Sequence, residues 1–202
     1  MVTKPYVNAQ DRMPVESALQ VLCSVRHQSD VLITNQGSSL LWPRLSQQAG
    51  DFNYNPSTMG GAIPWGLGVA LACPSRHVIV LSGDGSLLMN LGSLVTVIDS
   101  SVINLTIVVL ENGLYEVTGG QATAARGSST DFAAVARAVG FRSVAQFHCA
   151  QAWQSQAAEI LAQSGPRFVA LRVAPLATDC LDDVTQPMND QLQRLKDFLV
   201  ES

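Results

Sequence analysis

Residues 77–86 read His-Val-Ile-Val-Leu-Ser-Gly-Asp-Gly-Ser, and this stretch carries more information about the fold than any other part of the chain. The apolar run 77–82 has the composition of a buried strand, and an acidic turn with Asp84 between two glycines follows it directly. A second apolar run, 105–110, is followed after one residue by Asn112. The sequence therefore predicts two buried strands, each of which leads into a side chain with a hard oxygen atom.

The rest of the chain alternates between helical and strand patterns. Spacing and composition predict helices at 13–26, 39–48, 60–73, 87–98, 131–139 and 152–163, and further strands at 31–34, 143–147 and 167–173. Because parallel neighbours need crossover connections, this order predicts an α/β fold with three layers, α/β/α, around a mainly parallel sheet. Ligands of such sheets bind beyond the carboxyl ends of the strands, where Asp84 and Asn112 lie.

Length and charge exclude several classes of protein. The 202 residues suffice for one well-buried domain, so we expect a single domain over 1–202, with an ordered core at 11–176 and a polar to amphipathic tail at 177–202. A net charge of −4 without clustered Lys and Arg argues against nucleic acid as a partner. No apolar run approaches the roughly 18 residues of a membrane span, and the first residues are not signal-like. We therefore expect a cytoplasmic protein with no membrane contact.

Two further features of the composition concern partners and metal sites. Only 14% of the residues are charged, below the usual quarter or so, which predicts apolar surface that meets another protein. The four cysteines are scattered without a Cys-x-x-Cys pair, which argues against zinc and iron–sulfur sites.

Asp84 and Asn112 carry the oxygen ligands that Mg²⁺ prefers. A main-chain carbonyl just after Asn112 could supply a third ligand, and diphosphate and water could complete the shell. Gly83 and Gly85 allow close approach of the backbone, and a helix expected to start at Ser86 would direct free N–H groups toward the same diphosphate. Either turn alone is a common structural element. Their combination at two strand ends favours a site for magnesium and a diphosphate.

This combination resembles the cofactor motif of enzymes that depend on thiamine diphosphate, which has Gly-Asp-Gly and, after a spacer, Asn. The likeness covers nearly the whole chain and corresponds to the domain that binds the diphosphate. It implies thiamine diphosphate and Mg²⁺ as cofactors, with Asp84, the Asn112 side chain and the Leu114 carbonyl as metal ligands. Many members have Asn-Asn where this chain has Glu111-Asn112. The implied cofactor contacts of this part of the chain are Gly83, Gly85, Ser86, Leu114 and Tyr115.

Residues 56–61, Pro-Ser-Thr-Met-Gly-Gly, resemble the segment on which the same family rests the two rings of the cofactor. Met59 occupies the position of the bulky residue that bends the cofactor into a V shape. The backbone at Ser57 and Met59 is implied to bond the aminopyrimidine, with Thr58 between them as a further contact. A flexible thioether suits such an irregular gap, although a core methionine before a glycine-rich helix would have the same sequence.

The glutamate that activates the cofactor is not recognisable in this chain. In the family this glutamate belongs to a separate pyrimidine-binding domain. Glu111 and Glu116 flank residues 112–115, which we call the metal loop, and are expected near the diphosphate. We therefore predict a hetero-oligomer, in which a second chain with a pyrimidine-binding domain supplies the glutamate and the active site lies at the interface.

The loop 110–121 resembles that of sulfopyruvate decarboxylase beta chains and phosphonopyruvate decarboxylases. This likeness implies a lyase that decarboxylates a small anionic 2-oxo acid to an aldehyde. A small, polar run at 121–130 is a candidate lid, and Thr118, Gln121, Thr123 and Arg126 are candidates to contact substrate. Two alternatives stay open: a carboligase or acyl-transferring enzyme with the same cofactor, and a non-catalytic subunit that retains it.

Overall fold

Six strands form the central sheet of the computed structural model, which describes residues 12–126, 130–176 and 186–200. They are β1 (Val31–Asn35), β2 (Asp51–Tyr54), β3 (Val78–Gly83), β4 (Leu105–Glu111), β7 (Ser143–Phe147) and β8 (Arg167–Arg172). Their order is β2-β1-β3-β4-β8-β7, and every neighbouring pair is parallel. Two short strands, β5 (Leu114–Tyr115) and β6 (Gln121–Ala122), form a separate antiparallel pair.

Helices cover both faces of the sheet and complete the three layers. One face packs against α1 (Val15–Val25), α2 (Gly37–Leu45) and α7 (Ala150–Ala162), whose core side chains include Trp42 and Trp153. The other face packs against α3 (Ala62–Ala72), α4 (Asp84–Met89), α5 (Ser93–Asp99), α6 (Phe132–Val139) and α8 (Met188–Val200). The predicted fold class, a three-layer α/β/α domain with a parallel sheet, is confirmed.

The predicted helix at 87–98 is wrong, because the chain forms two short helices there. Asn90 leaves the helical conformation at the end of α4, and its side-chain amide donates to the Gly60 carbonyl at 3.1 Å. Gly92 precedes α5. The break follows from a contact with a distant loop, since the apolar spacing of residues 87–98 by itself favours a continuous helix.

Strand β2 was not predicted, because it lacks an apolar run. Two of its four residues, Asp51 and Asn53, have polar side chains that are buried. Their partners come from distant segments of the chain. Asp51 is paired with Arg26 at 2.5 Å, and the Asn53 side chain accepts from the Thr34 hydroxyl at 2.9 Å. A strand of this kind is stabilised by contacts between segments rather than by its own hydrophobic pattern.

Helix α8 covers the free edge of β2. Gln191 is fully buried, and its side-chain amide accepts from the Asn53 N–H at 2.8 Å and donates to the Asn53 carbonyl at 3.2 Å. Leu195 is buried in the core beside it. The amphipathic part of the predicted tail thus packs on its own chain, while residues 177–185, 201 and 202 lie outside the described residues.

The small residues of α3 allow it to pack closely on the sheet. A methyl group at Gly66 would collide with the Val80 side chain on β3. The start of α6 follows the prediction, because the Asp131 carboxylate caps the helix by accepting from the Ala134 N–H at 2.9 Å.

None of the helices in the described parts of the chain combines the length and apolarity of a membrane span. Cys23, Cys73 and Cys149 are free thiols, and Cys180 lies outside the described residues. Residues 12–126, 130–176 and 186–200 contain no cluster of His, Cys, Asp and Glu suited to a metal ion. A magnesium site here therefore requires amide, carbonyl or phosphate oxygens in addition to a carboxylate.

Candidate cofactor site

A cleft opens at the carboxyl ends of β1, β3 and β4. The chain leaves β1 toward β2 on one side and returns to β3 on the other, so the cleft lies at a topological switch point of the sheet. Most of the predicted cofactor residues line this cleft: Met59, Gly83, Gly85, Ser86, Asn112, Leu114 and Tyr115. The fold thus brings segments 56–61, 83–86 and 112–115 to one place.

Asp84 lies between Gly83 and Gly85, which line the cleft, and only 1% of its own surface is exposed. Its Oδ2 atom accepts from the Gly113 N–H at 3.1 Å and from the Thr123 hydroxyl at 3.2 Å. Its Oδ1 atom is buried without a hydrogen-bond partner among the described residues. Burial raises the pKa of this carboxyl group from 3.8 to about 6, against the lowering effect of its hydrogen bonds. A divalent cation would fit, because it would give Oδ1 a partner and favour the ionised form.

Asn112 begins the loop that faces Asp84. Its Oδ1 atom accepts from the Leu114 N–H at 2.8 Å, which leaves a second lone pair for a metal ion. Arg12 donates to the Asn112 carbonyl at 2.5 Å and so holds the loop from below. Gly113 has a φ of +76°, a conformation that disfavours side chains, and this turn directs its N–H to Asp84.

Gly85 provides the space in which the aromatic ring of Tyr115 packs. A methyl group at Gly85 would lie 2.6 Å from Tyr115 Cδ1. The glycine is therefore required by close packing between the acidic turn and the metal loop. This contact holds the two predicted metal-binding segments against each other.

Ser86 connects three elements around the cleft. Its hydroxyl oxygen accepts from the Asn35 side-chain amide and from the Gly60 N–H, both at 2.9 Å. The helix that contains it begins at Asp84, not at Ser86 as the sequence indicated, because the turn at the end of β3 is already helical. Ser86 thus joins β1, the Met59 segment and the acidic turn.

The end of β1 was missed as part of the site. Asn35, Gln36, Gly37 and Ser38 all line the cleft, and Asn35 Oδ1 is buried without a partner in the described chain. Gln36 has a φ of +53°, unusual for a residue with a side chain, and its amide donates to the Ser57 hydroxyl at 2.7 Å. The position of Gly37 after a buried strand is the signal that could have identified this loop.

The predicted substrate residues occupy two different environments. Thr118, Gln121 and Arg126 are exposed on or next to the β5–β6 hairpin, whereas Thr123 is 3% exposed and bonded to Asp84. Thr123 therefore supports the predicted metal ligand rather than facing open space. Residues 127–129 of the predicted lid lie outside the described residues. Thr58 is exposed outside the cleft lining, and its N–H donates to the Tyr54 hydroxyl at 3.3 Å.

Glu111, the residue that departs from the Asn-Asn pattern, turns toward β8. Its Oε1 lies 3.4 Å from Arg172 Nε, the residue that it pairs with in the sheet register. Burial raises the pKa of Glu111, and Arg172 and Arg12 oppose that shift. Arg172 on the neighbouring strand therefore accommodates a glutamate where many family members have asparagine.

Comparison with known proteins assigns the family. The profile of the thiamine pyrophosphate enzymes, C-terminal TPP binding domain, matches residues 37–171, which include both the acidic turn and the metal loop. The chain belongs to this family. The resemblance inferred from the Gly-Asp-Gly and Asn112 motif is thereby confirmed.

Two named relatives and one solved structure support the assignment to this family. A phosphonopyruvate decarboxylase of Streptomyces hygroscopicus is 38% identical over 73% of this chain and 36% of its own length. A sulfopyruvate decarboxylase subunit beta of Methanothermobacter thermautotrophicus is 44% identical over 60% of this chain and 62% of its own. A candidate thiamin diphosphate-dependent enzyme of Mycobacterium smegmatis shares the fold, with a TM-score of 0.67 at 20% identity over 81% of this chain and 32% of that one. The matched part of this TPP binding domain thus spans only about a third to three fifths of these relatives.

Proposed function

We propose that this chain binds thiamine diphosphate with Mg²⁺ and forms the diphosphate-binding half of a cytoplasmic, two-chain decarboxylase of a small anionic 2-oxo acid. The observation that carries the proposal is the buried, unpartnered Oδ1 of Asp84 beside a cleft at the switch point of the sheet. A buried carboxylate oxygen without a hydrogen-bond partner destabilises the fold unless a ligand interacts with it. The names of the relatives support the reaction and the class of substrate.

The residues of the cleft would have separate roles in holding the cofactor. Asp84, the Asn112 side chain and the Leu114 carbonyl would hold the metal ion, and Gly83, Gly85 and Ser86 would lie against the diphosphate. Met59 would support the bent form of the cofactor, with Ser57 placed by Gln36. Thiamine diphosphate itself, when bound, supplies the carbanion and the electron sink of the reaction.

A second chain with a pyrimidine-binding domain would complete the active site. Glu116 is the glutamate among the described residues that line the cleft, and its Oε1 atom accepts from the Leu176 N–H at 2.6 Å. It is therefore poorly placed to activate the pyrimidine. One of the relatives is named a beta subunit, which supports a partner chain.

The proposal is tested by titrating the chain with thiamine diphosphate and MgCl₂ in a calorimeter. Asp84→Asn keeps an acceptor for Gly113 and Thr123 but removes the anionic ligand, so we expect affinity to fall at least tenfold or so. Asp99→Asn, an exposed change on α5, serves as the control and should bind like the wild type. Unchanged binding by Asp84→Asn would refute the metal assignment, and no binding by the wild type would refute the cofactor.

A further inference from the structure

The Ser86 hydroxyl is a buried donor whose proton has no acceptor in the described chain. Ser86 is 2% exposed and lines the cleft. Its oxygen accepts from the Gly60 N–H and from the Asn35 side-chain amide, both at 2.9 Å. Within the described residues these two are the hydrogen bonds that the Ser86 side chain makes, and it is the acceptor in both.

Two incoming donors fill the acceptor side of a hydroxyl group, because its oxygen has two lone pairs and a single proton. The Ser86 proton is then left for a partner other than Asn35 and Gly60. A buried polar group needs such a partner from the protein, water or a ligand. An anionic oxygen in the cleft would suit it, because hydrogen bonds to charged acceptors are stronger than those to neutral ones.

Asn35 is fixed at the end of β1, where it can serve as one of the two donors. It is fully buried, and its backbone N–H donates to the Ser38 hydroxyl at 3.2 Å. The same hydroxyl donates to the Asn35 carbonyl at 2.7 Å. The Oδ1 atom of Asn35 is buried without a partner in the described residues. The contact with Ser86 is therefore the one that the buried amide gains from its position in the fold.

Gly60 supplies the second donor from a different segment of the chain. It has a φ of +80°, and its carbonyl accepts from the Asn90 side-chain amide at 3.1 Å. Asn90 directly follows α4, the helix that contains Ser86. The loop that carries Met59 is thus tied to both ends of α4, which holds the Gly60 N–H against the Ser86 oxygen.

We propose that Asn35 is a positioning residue, whose amide acts with the Gly60 N–H to leave the Ser86 proton free for a phosphate oxygen of the cofactor. Ser86 would contact the diphosphate, and Asn35 would act through Ser86 without a contact of its own. This inference rests on the proposed cofactor site. It gives Asn35 a role that neither the sequence motif nor the lining of the cleft assigns.

A double-mutant cycle tests whether Asn35 acts through Ser86. The variants are Asn35→Leu, which keeps the branched shape of the side chain but cannot donate, Ser86→Ala, and the two changes combined. Calorimetry in excess MgCl₂ measures the affinity of each chain for thiamine diphosphate and for inorganic pyrophosphate. Pyrophosphate is included because the proposed contact is to phosphate, so both ligands should respond alike.

We expect Ser86→Ala to weaken both ligands about tenfold, as for loss of a hydrogen bond to a charged group. Asn35→Leu should weaken them about two- to tenfold when Ser86 is present and should have no further effect in the Ser86→Ala chain. Asn189→Ala, a change of an exposed asparagine on α8, is the control and should bind like the wild type. Melting curves without ligand report whether each variant is folded, and Asn35→Ala replaces Asn35→Leu if the leucine prevents folding.

The other outcomes separate this inference from the function on which it rests. Equal weakening by Asn35→Leu with and without the Ser86 hydroxyl would mean that the Asn35 amide contacts phosphate itself, and would overturn the positioning role. A changed melting temperature with unchanged affinities would reduce Asn35 to a structural residue and would also overturn it. Weaker binding of thiamine diphosphate alone would contradict the contact to phosphate. Absence of binding of either ligand by the wild type would instead refute the cofactor site, and the inference with it.

Discussion

Asp84 is a residue whose environment suits a bound cation better than an empty site. Its carboxyl group is buried, one oxygen has no partner in the described chain, and its pKa is raised to about 6 by desolvation. Perturbed carboxyl groups of this kind are concentrated at functional sites. Burial of the ionised Asp84 carboxylate without a cation should lower the free energy of unfolding.

In the metal-free protein, Asp84 should make stability fall as the pH rises. The folded state keeps a proton between pH 3.8 and about 6 that the unfolded state releases, so ionisation of Asp84 destabilises the fold across that range. The full effect, reached above about pH 6, is on the order of 3 kcal/mol. In urea denaturation with a chelator at pH 7.5, Asp84→Asn should therefore be more stable than the wild type by up to this amount.

The comparison at low pH provides the control for this prediction. At pH 4 the wild-type carboxyl group is already protonated in the folded state, so the two proteins should have similar free energies of unfolding. Equal stabilities at pH 7.5 would show that the carboxylate is not destabilising. The same substitution that stabilises the metal-free fold should weaken binding of magnesium, as expected for a functional residue.

At the scale of elements, α8 and β2 depend on each other. Strand β2 is at the edge of the sheet, and an edge leaves backbone groups unpaired. The Gln191 side chain satisfies both the N–H and the carbonyl of Asn53, as a neighbouring strand would, and its Nε2 also donates to the Gln186 carbonyl at 2.8 Å.

Removal of the Gln191 amide should destabilise the protein. Gln191→Ala leaves the buried Asn53 backbone groups without their partner, and we expect a loss of roughly 1–3 kcal/mol in the free energy of unfolding. Gln193→Ala, which removes only an exposed hydrogen bond to Asp197 in the same helix, should change it by less than about 0.5 kcal/mol. Equal effects of the two changes in urea denaturation would contradict the edge-covering role of α8.

At the scale of the whole molecule, the described residues bring the proposed metal and diphosphate contacts to the cleft, but no glutamate among them is placed to activate a pyrimidine. Glu111 pairs with Arg172, and Glu116 accepts from the Leu176 N–H. Glu16 and Glu159 are exposed on α1 and α7. The half of the site that would activate the pyrimidine is therefore expected from another chain.

The isolated chain should bind the cofactor but should not turn over substrate. With thiamine diphosphate, Mg²⁺ and either sulfopyruvate or phosphonopyruvate, we expect aldehyde formation only after a chain with a pyrimidine-binding domain is added. The aldehyde is measured by a coupled reduction, with the Asp84→Asn chain plus partner as the control. Sustained turnover by the wild-type chain alone would contradict the requirement for a partner.

The sequence predicted the parts of the fold and site that depend on short segments. The apolar runs before Asp84 and Asn112 identified buried strands because hydrophobic patterning acts locally, and their order along the chain indicated a parallel sheet. It missed β2 and the break at Asn90, which depend on Arg26, Gln191 and Gly60 from distant segments. It also missed Gln36, because its conformation and its contact with Ser57 have no local signature.

The sequence by itself determined the α/β order, the family and the expected metal ligands Asp84 and Asn112. Each of these ligands follows an apolar run directly or after one residue, so the pattern can be recognised within a short segment. The tertiary structure alone decided which atoms are left without partners, that Thr123 supports Asp84, and that Glu116 accepts from the Leu176 N–H. These properties arise when segments far apart in the chain are packed together and water is excluded from their polar groups. Burial and hydrogen-bond partners are therefore set by the whole fold.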